Sequence, residues 1–241
     1  MTSAPQPIPL RPAPPRAGRA LVYAAVGTVA PFMLSLLVGL LVAGRLYASP
    51  FAPAGTLHGY FAGHHTMVQV VAFLQFGSAV GLGVLTGLLW SRLRELAPGG
   101  IIAPAAVAVG GGVAASFLAL NALVQWVLSH PEVNAQPALV KALGYLFWTL
   151  GGTGHTAWLA VLLAGVGLAA LRLRLLPRWL AVAGLVLAGV GGLSLLTLVS
   201  TKVVALIPAG RFPALLWLVV VSVLLSRQPG RRPPPAGRLA A

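Results

Sequence analysis

The sequence predicts an all-α, polytopic membrane protein, with six transmembrane helices in a compact bundle and both termini on the cytoplasmic side. Three observations carry that prediction. The 241-residue chain is 58% hydrophobic and only 7% charged, against about 25% charged in an ordinary soluble domain. Its apolar residues fall into six runs, each long enough to cross about 30 Å of hydrocarbon as a helix of about 20 residues. Basic residues alternate between the breaks as the positive-inside rule requires. A mean hydropathy of +0.92 cannot be hidden in one soluble core, because a folded domain of this size still needs a polar exterior. β-Barrel strands would be about 10 residues long with alternating polarity, a pattern the chain lacks.

Taken in order, residues 1–19 hold six Pro and three Arg (Arg11, Arg16, Arg19) without apolar periodicity, which reads as a disordered cytoplasmic tail. The run 20–44 is longer than the apolar region of a cleaved signal peptide and suits a retained signal-anchor. Further spans are expected at about 67–90, 101–128, 142–171, 179–200 and 206–226, and 227–241 form a second basic tail. The breaks at 91–100, 129–141, 172–178 and 201–205 contain charge, Pro or Gly. The 45–66 connection is the longest and carries three of the five His.

Orientation follows from charge. With the amino terminus inside, the inner segments collect Arg11, Arg16, Arg19, Arg92, Arg94, Arg172, Arg174, Arg178, Arg227, Arg231, Arg232 and Arg238. Only Arg45, Lys141, Lys202 and Arg211 fall outside. Twelve against four, alternating at every loop, sets this orientation and supports six spans rather than five or seven. The net charge of +14 does not point to nucleic acid, since the basic residues are scattered through short loops without a face of stacking aromatics. Their partners are anionic lipid headgroups. The chain has no Cys, which excludes disulfides and thiolate sites.

Helices in lipid associate through small residues rather than a hydrophobic drive. Gly77 and Gly81, Gly83 and Gly87, Gly111 and Ala115, and Gly184, Ala188 and Gly192 recur at spacing four. They predict close backbone packing within the bundle, and the same faces offer a seam for a homo-oligomer. Gly110, Gly111 and Gly112 lie inside an apolar span and read as packing rather than a phosphate loop.

Ionisable groups inside a membrane are functional candidates by default, and this chain has few. Its only acidic residues, Glu95 and Glu132, fall in loops. Carboxylate proton relays, carboxylate metal sites and paired-carboxylate catalysis therefore lose their usual side chains. His155, in GGTGHTAW, is the leading candidate. As a functional group it ligates haem or relays a proton. As a structural one it is a neutral imidazole bonded to Asn121 or Gln125 of another span. His58, His64, His65 and His130 cluster outside, without carboxylate or thiol help or an i,i+4 pair, and are read as interfacial. His155 lies about 21 Å down its helix from Lys141, too deep to share a metal with them. No metal and no cofactor are expected.

Three polar stripes form a candidate cavity for a small molecule: Gln75 and Ser78, with His64 and Thr86 on the same line; Asn121 and Gln125; and Thr149, Thr153 and Thr156 beside His155. Interhelical hydrogen-bond glue is the plainer reading. Lys202 and Arg211 are candidate contacts for an anion or lipid headgroup, with snorkelling to the interface as the default.

The stretches FLQFGSAVGLGVLTGLLWSRLREL, LNALVQWVLSHPEVNAQPALVKALGYLFWTLGG, LRLLPRWLAVAGLVLAG and IPAGRFPALLWLVVVSVLL resemble a bacterial family of six-span integral membrane proteins built on a domain of unknown function. The resemblance covers roughly residues 67–226. It implies the six-span fold and brings no activity with it. The reading is a non-enzymatic membrane scaffold or small-ligand-binding bundle. The alternatives are a small-molecule or lipid transporter, and a membrane enzyme or haem protein using His155.

Overall fold

The computed structural model describes residues 16–45, 49–52, 55–96 and 100–228, with side-chain placement from residue 18 onward. The expected tails therefore lie outside the described residues from 1 to 15 and from 229 to 241. Among the described residues the secondary structure is helical, without a strand. Six helical stretches are long and apolar enough to cross a membrane, and they pack together as one bundle.

The first span is α1 (Arg16–Ala43). A short helix follows in the long connection, α2 (Thr56–Gly63), which buries Leu57 and Phe61 at spacing four. Hydropathy did not mark this segment because eight residues cannot span. It folds because its two apolar side chains reach a neighbouring apolar cluster. The second span, α3 (His65–Leu96), runs past the expected end near residue 90. Leu93 and Leu96 keep its buried face apolar, and Arg92 donates to the Glu95 carboxylate at 2.9 Å. The third span is α4 (Ile102–Leu128), and α5 (Pro131–Asn134) is a single turn after it.

The fourth span begins earlier than expected, with Pro137 in the first turn of α6 (Pro137–Trp148), where a missing N–H costs nothing. It is not one regular helix. A π-helical segment, Thr149–Gly154, interrupts it before α7 (His155–Leu173). The fifth span is α8 (Arg178–Leu193) with a 3₁₀ ending at Ser194–Leu198. The sixth opens with a 3₁₀ turn, Thr201–Val203, and continues as α9 (Leu206–Ser226).

The spans form a ring in which α1, α3, α4, α7, α8 and α9 each pack on the next, and α9 returns to α1. The described chain ends meet: a Cβ on Gly18 would lie 2.6 Å from the Ser226 carbonyl oxygen. On this terminal face Arg92 donates to the Gln228 carbonyl, and Gln228 Nε2 donates to the Leu175 carbonyl at 2.7 Å. The opposite, distal face carries α2, α5 and the start of α9.

Small residues set the helix approaches, but selectively. A Cβ on Gly81 would lie 2.6 Å from the Gly27 carbonyl oxygen of α1, and one on Gly110 would lie 2.5 Å from the Leu162 amide nitrogen of α7. At both crossings backbone touches backbone. Gly77, Gly83, Gly87, Gly112 and Gly192 meet nothing within 4 Å, so their spacing does not serve these helix contacts. The terminal half of the bundle is filled by an apolar cluster that includes Leu85, Leu89, Leu162, Leu163 and Leu218. Near mid-depth Phe32, Leu118 and Leu215 form a second cluster, and Phe61, Val68 and Phe147 belong to a third on the distal side.

Candidate functional site

Most of the polar stripes serve as ties between helices. Gln75 Oε1 accepts from Asn121 Nδ2 at 2.8 Å and from Gln125 Nε2 at 2.6 Å. Its Nε2 donates to Ser35 Oγ at 3.4 Å, and Ser78 Oγ donates to the Thr28 carbonyl at 2.6 Å. One buried glutamine thereby joins α1, α3 and α4. Thr149 bonds the Tyr145 and Leu146 carbonyls of its own helix, while Thr153 Oγ1 meets Thr197 Oγ1 at 2.5 Å. Thr149 and Thr153 border a void of about 30 Å³, about the share of one water in the liquid.

His155 is buried at 1% exposure and crosses to α4, though not to the expected Asn121 or Gln125. Its Nδ1–H donates to the Ala114 carbonyl at 3.0 Å. The two amides are committed to Gln75, and Asn121 Oδ1 sits against Gly151, one turn before His155. A carbonyl can only accept, so this bond places a proton on Nδ1, and among the described residues Nε2 is buried without a hydrogen-bond partner. Three of the four remaining histidines are held singly on backbone carbonyls, His64 on Tyr60, His65 on Ser129 and His130 on Trp126, whereas among the described residues His58 Nδ1 is buried without a hydrogen-bond partner. Among the described residues, no three His, Asp or Glu side chains gather to hold a metal ion.

The site that the structure does build lies at the π-helical segment. A regular helix would commit the Gly151 carbonyl to the amide four residues on, that of His155. Here the His155 amide turns to the Leu150 and Gly152 carbonyls instead. The Gly151 carbonyl accepts from Arg211 Nη1 at 2.7 Å. Gly151 must lack a side chain, because a Cβ there would overlap the Asn121 amide. A local defect in one span thus binds a cation from another, and such π-bulges occur frequently at functional sites.

Arg211 does not snorkel. It is the sixth residue of α9, about 8 Å along the helix from its start, and only 6% exposed. Its guanidinium stands 4.3 Å over the Phe32 ring, stacked as arginine does on aromatic faces. Lys202, its companion in the sequence reading, is exposed on the distal 3₁₀ turn.

Arg211 and Asn121 line one cavity of about 560 Å³ in the distal half of the bundle. Its wall is otherwise mostly apolar, including Phe147, Trp148, Ile207 and Phe212, and exposed residues such as Ser49, Phe51 and Thr201 stand at its rim. Phe51 packs edge-on against Tyr145 and Trp148, with ring centroids 5.5 and 5.8 Å away. Of the candidate cavity residues, Asn121 borders this space. Gln75, Ser78, Gln125 and His155 do not.

Neither hydropathy nor spacing marks Phe51 or the π segment as part of a site. TLGGTG held the usable signal, since three glycines within six residues weaken a helix where a bilayer span is otherwise continuous. The chain matches no family model, no curated protein and no solved structure, so geometry alone informs the reading of the site.

Proposed function

We propose that this multi-pass membrane protein is a non-enzymatic small-ligand-binding bundle whose site is the distal cavity. The carrying observation is one space of about 560 Å³ with an apolar wall and two buried polar anchors, Arg211 and Asn121. Ligand pockets commonly span about 300–1,000 Å³ with this balance of apolar wall and few polar groups. The apolar cluster of the terminal half lies beneath the cavity, which favours binding over permeation. His155 does not line it, which weighs against a haem protein or an enzyme built on that residue. The twelve-to-four charge asymmetry supports a terminal face in the cytoplasm, and the resemblance to a bacterial family supports the bacterial inner membrane. The cavity then opens on the outer side. Kinship with the six-span family belongs to the same proposal and rests on the motifs quoted above.

The test is untargeted mass spectrometry of small molecules and lipids co-purifying with the protein and with its Val204→Trp variant, in which the indole fills the cavity from its wall. A species enriched with the parent and lost from the variant supports the reading. Equal recovery from both, or no enriched species, overturns it.

A further inference from the structure

Building on the reading of the distal cavity as a ligand site, we infer that its ligand is a single-chain amphipathic anion whose headgroup also carries an N–H or O–H donor. The sign of the cavity comes from Arg211, whose guanidinium stays protonated in proteins. Among the described residues no acidic side chain lines the space. The bond to Gly151 and the stacking on Phe32 hold the guanidinium in place before any ligand arrives. Such a fixed planar cation suits carboxylate or phosphate oxygens.

The demand for a donor comes from Asn121. Its side chain is 2% exposed and lines the cavity. Its Nδ2 is given to Gln75, while among the described residues its Oδ1 is buried without a hydrogen-bond partner. A buried acceptor of this kind is normally met by a protein group, a water or a ligand. Arg211 and Asn121 converge on one residue, since the Gly151 carbonyl takes the guanidinium and the Gly151 Cα faces Oδ1. A headgroup reaching both must accept at one atom and donate from another a few bonds away. A phosphate monoester in its monoanionic form does so through P–O⁻ and P–OH. An N-acyl amino acid does so through its carboxylate and amide N–H. The remaining wall, from Phe147 and Trp148 to Ile207 and Phe212, suits an alkyl chain. At about 560 Å³ the space falls within the range of pockets that take one small ligand, on the scale of one chain rather than two.

The experiment measures equilibrium binding of N-lauroylglycine, dodecyl phosphate and neutral dodecanol to the full chain in phosphatidylcholine nanodiscs, with empty discs subtracted. The two anions should bind at least about tenfold more tightly than dodecanol, the usual scale for charge-assisted hydrogen bonds. Arg211→Gln should erase that preference while dodecanol still binds above the level of Val204→Trp, and an unchanged helical circular dichroism spectrum checks that the variant is folded. Arg211→Lys should keep part of the preference. Equal binding of anions and dodecanol by the parent would overturn the anionic ligand while sparing the cavity. So would a preference that survives in Arg211→Gln. Binding of all three probes at the level of Val204→Trp would overturn the cavity reading itself.

Discussion

Two identical substitutions, two residues apart, should have opposite effects on the bundle. In Gly110→Ala the new Cβ would sit 2.5 Å from the Leu162 amide nitrogen and 2.9 Å from the Val161 carbonyl carbon. Ordinary contact between such atoms begins near 3.5 Å, so α4 and α7 must part by about 1 Å. The atoms met first are backbone, and no rotamer change relieves them. Overpacking of this kind costs about 1–3 kcal/mol. In Gly112→Ala the Cβ meets nothing within 4 Å, and the substitution only gains the helix preference of Ala over Gly, about 0.5–1 kcal/mol. That gain is common to both variants and cancels in their difference. The separation between them should therefore be about 1–3 kcal/mol, with Gly110→Ala the less stable. Unfolding in dodecyl maltoside by titrated dodecyl sulfate, followed by helical circular dichroism, measures it. A difference below about 0.5 kcal/mol, the usual limit of additivity, would refute the claim that these backbones touch. So would Gly112→Ala being the more damaged.

The remaining predictions concern His155 and orientation. His155→Gln keeps a donor for the Ala114 carbonyl and should fold like the parent, whereas His155→Leu should lose about 0.6–2 kcal/mol in the same titration; a Leu variant as stable as the parent would end the structural reading. The chain has no Cys, so single cysteines can report sidedness directly. An impermeant maleimide on intact spheroplasts should label Cys at positions Glu132 or Lys202 but reach those at Arg94 or Arg172 only after lysis. The reverse pattern would invert the topology.

The six spans were legible because hydropathy is a sum over neighbours in sequence, and about 20 apolar residues in a row have one stable fate in a bilayer. The same averaging hid α2, whose eight residues are held by Leu57 and Phe61 against other elements. It also hid the last turns of α3, where Leu93 and Leu96 extend the buried face into a basic segment. Glycine spacing marked helices that approach closely, but Gly81 and Gly77 are equivalent in sequence while only Gly81 lies on α1. Which face meets a neighbour is decided by the rotation of each helix within the ring.

The candidate site divides along the same line. Sequence alone singled out Asn121, Gln75, Gln125 and His155 as polar groups that apolar spans must accommodate, because each is costly in hydrocarbon, and placed Arg211 at the interface. It could not assign their partners. A hydrogen bond needs two groups within about 3 Å, and the separation of residues such as Arg211 and Gly151, sixty positions apart, is set by packing rather than by local composition. The tertiary structure committed Gln75, Asn121 and Gln125 to one another, turned His155 toward Ala114, and freed the Gly151 carbonyl from the His155 amide to take Arg211. That exchange in the π segment carries a cation which hydropathy placed at the interface into the wall of the distal cavity.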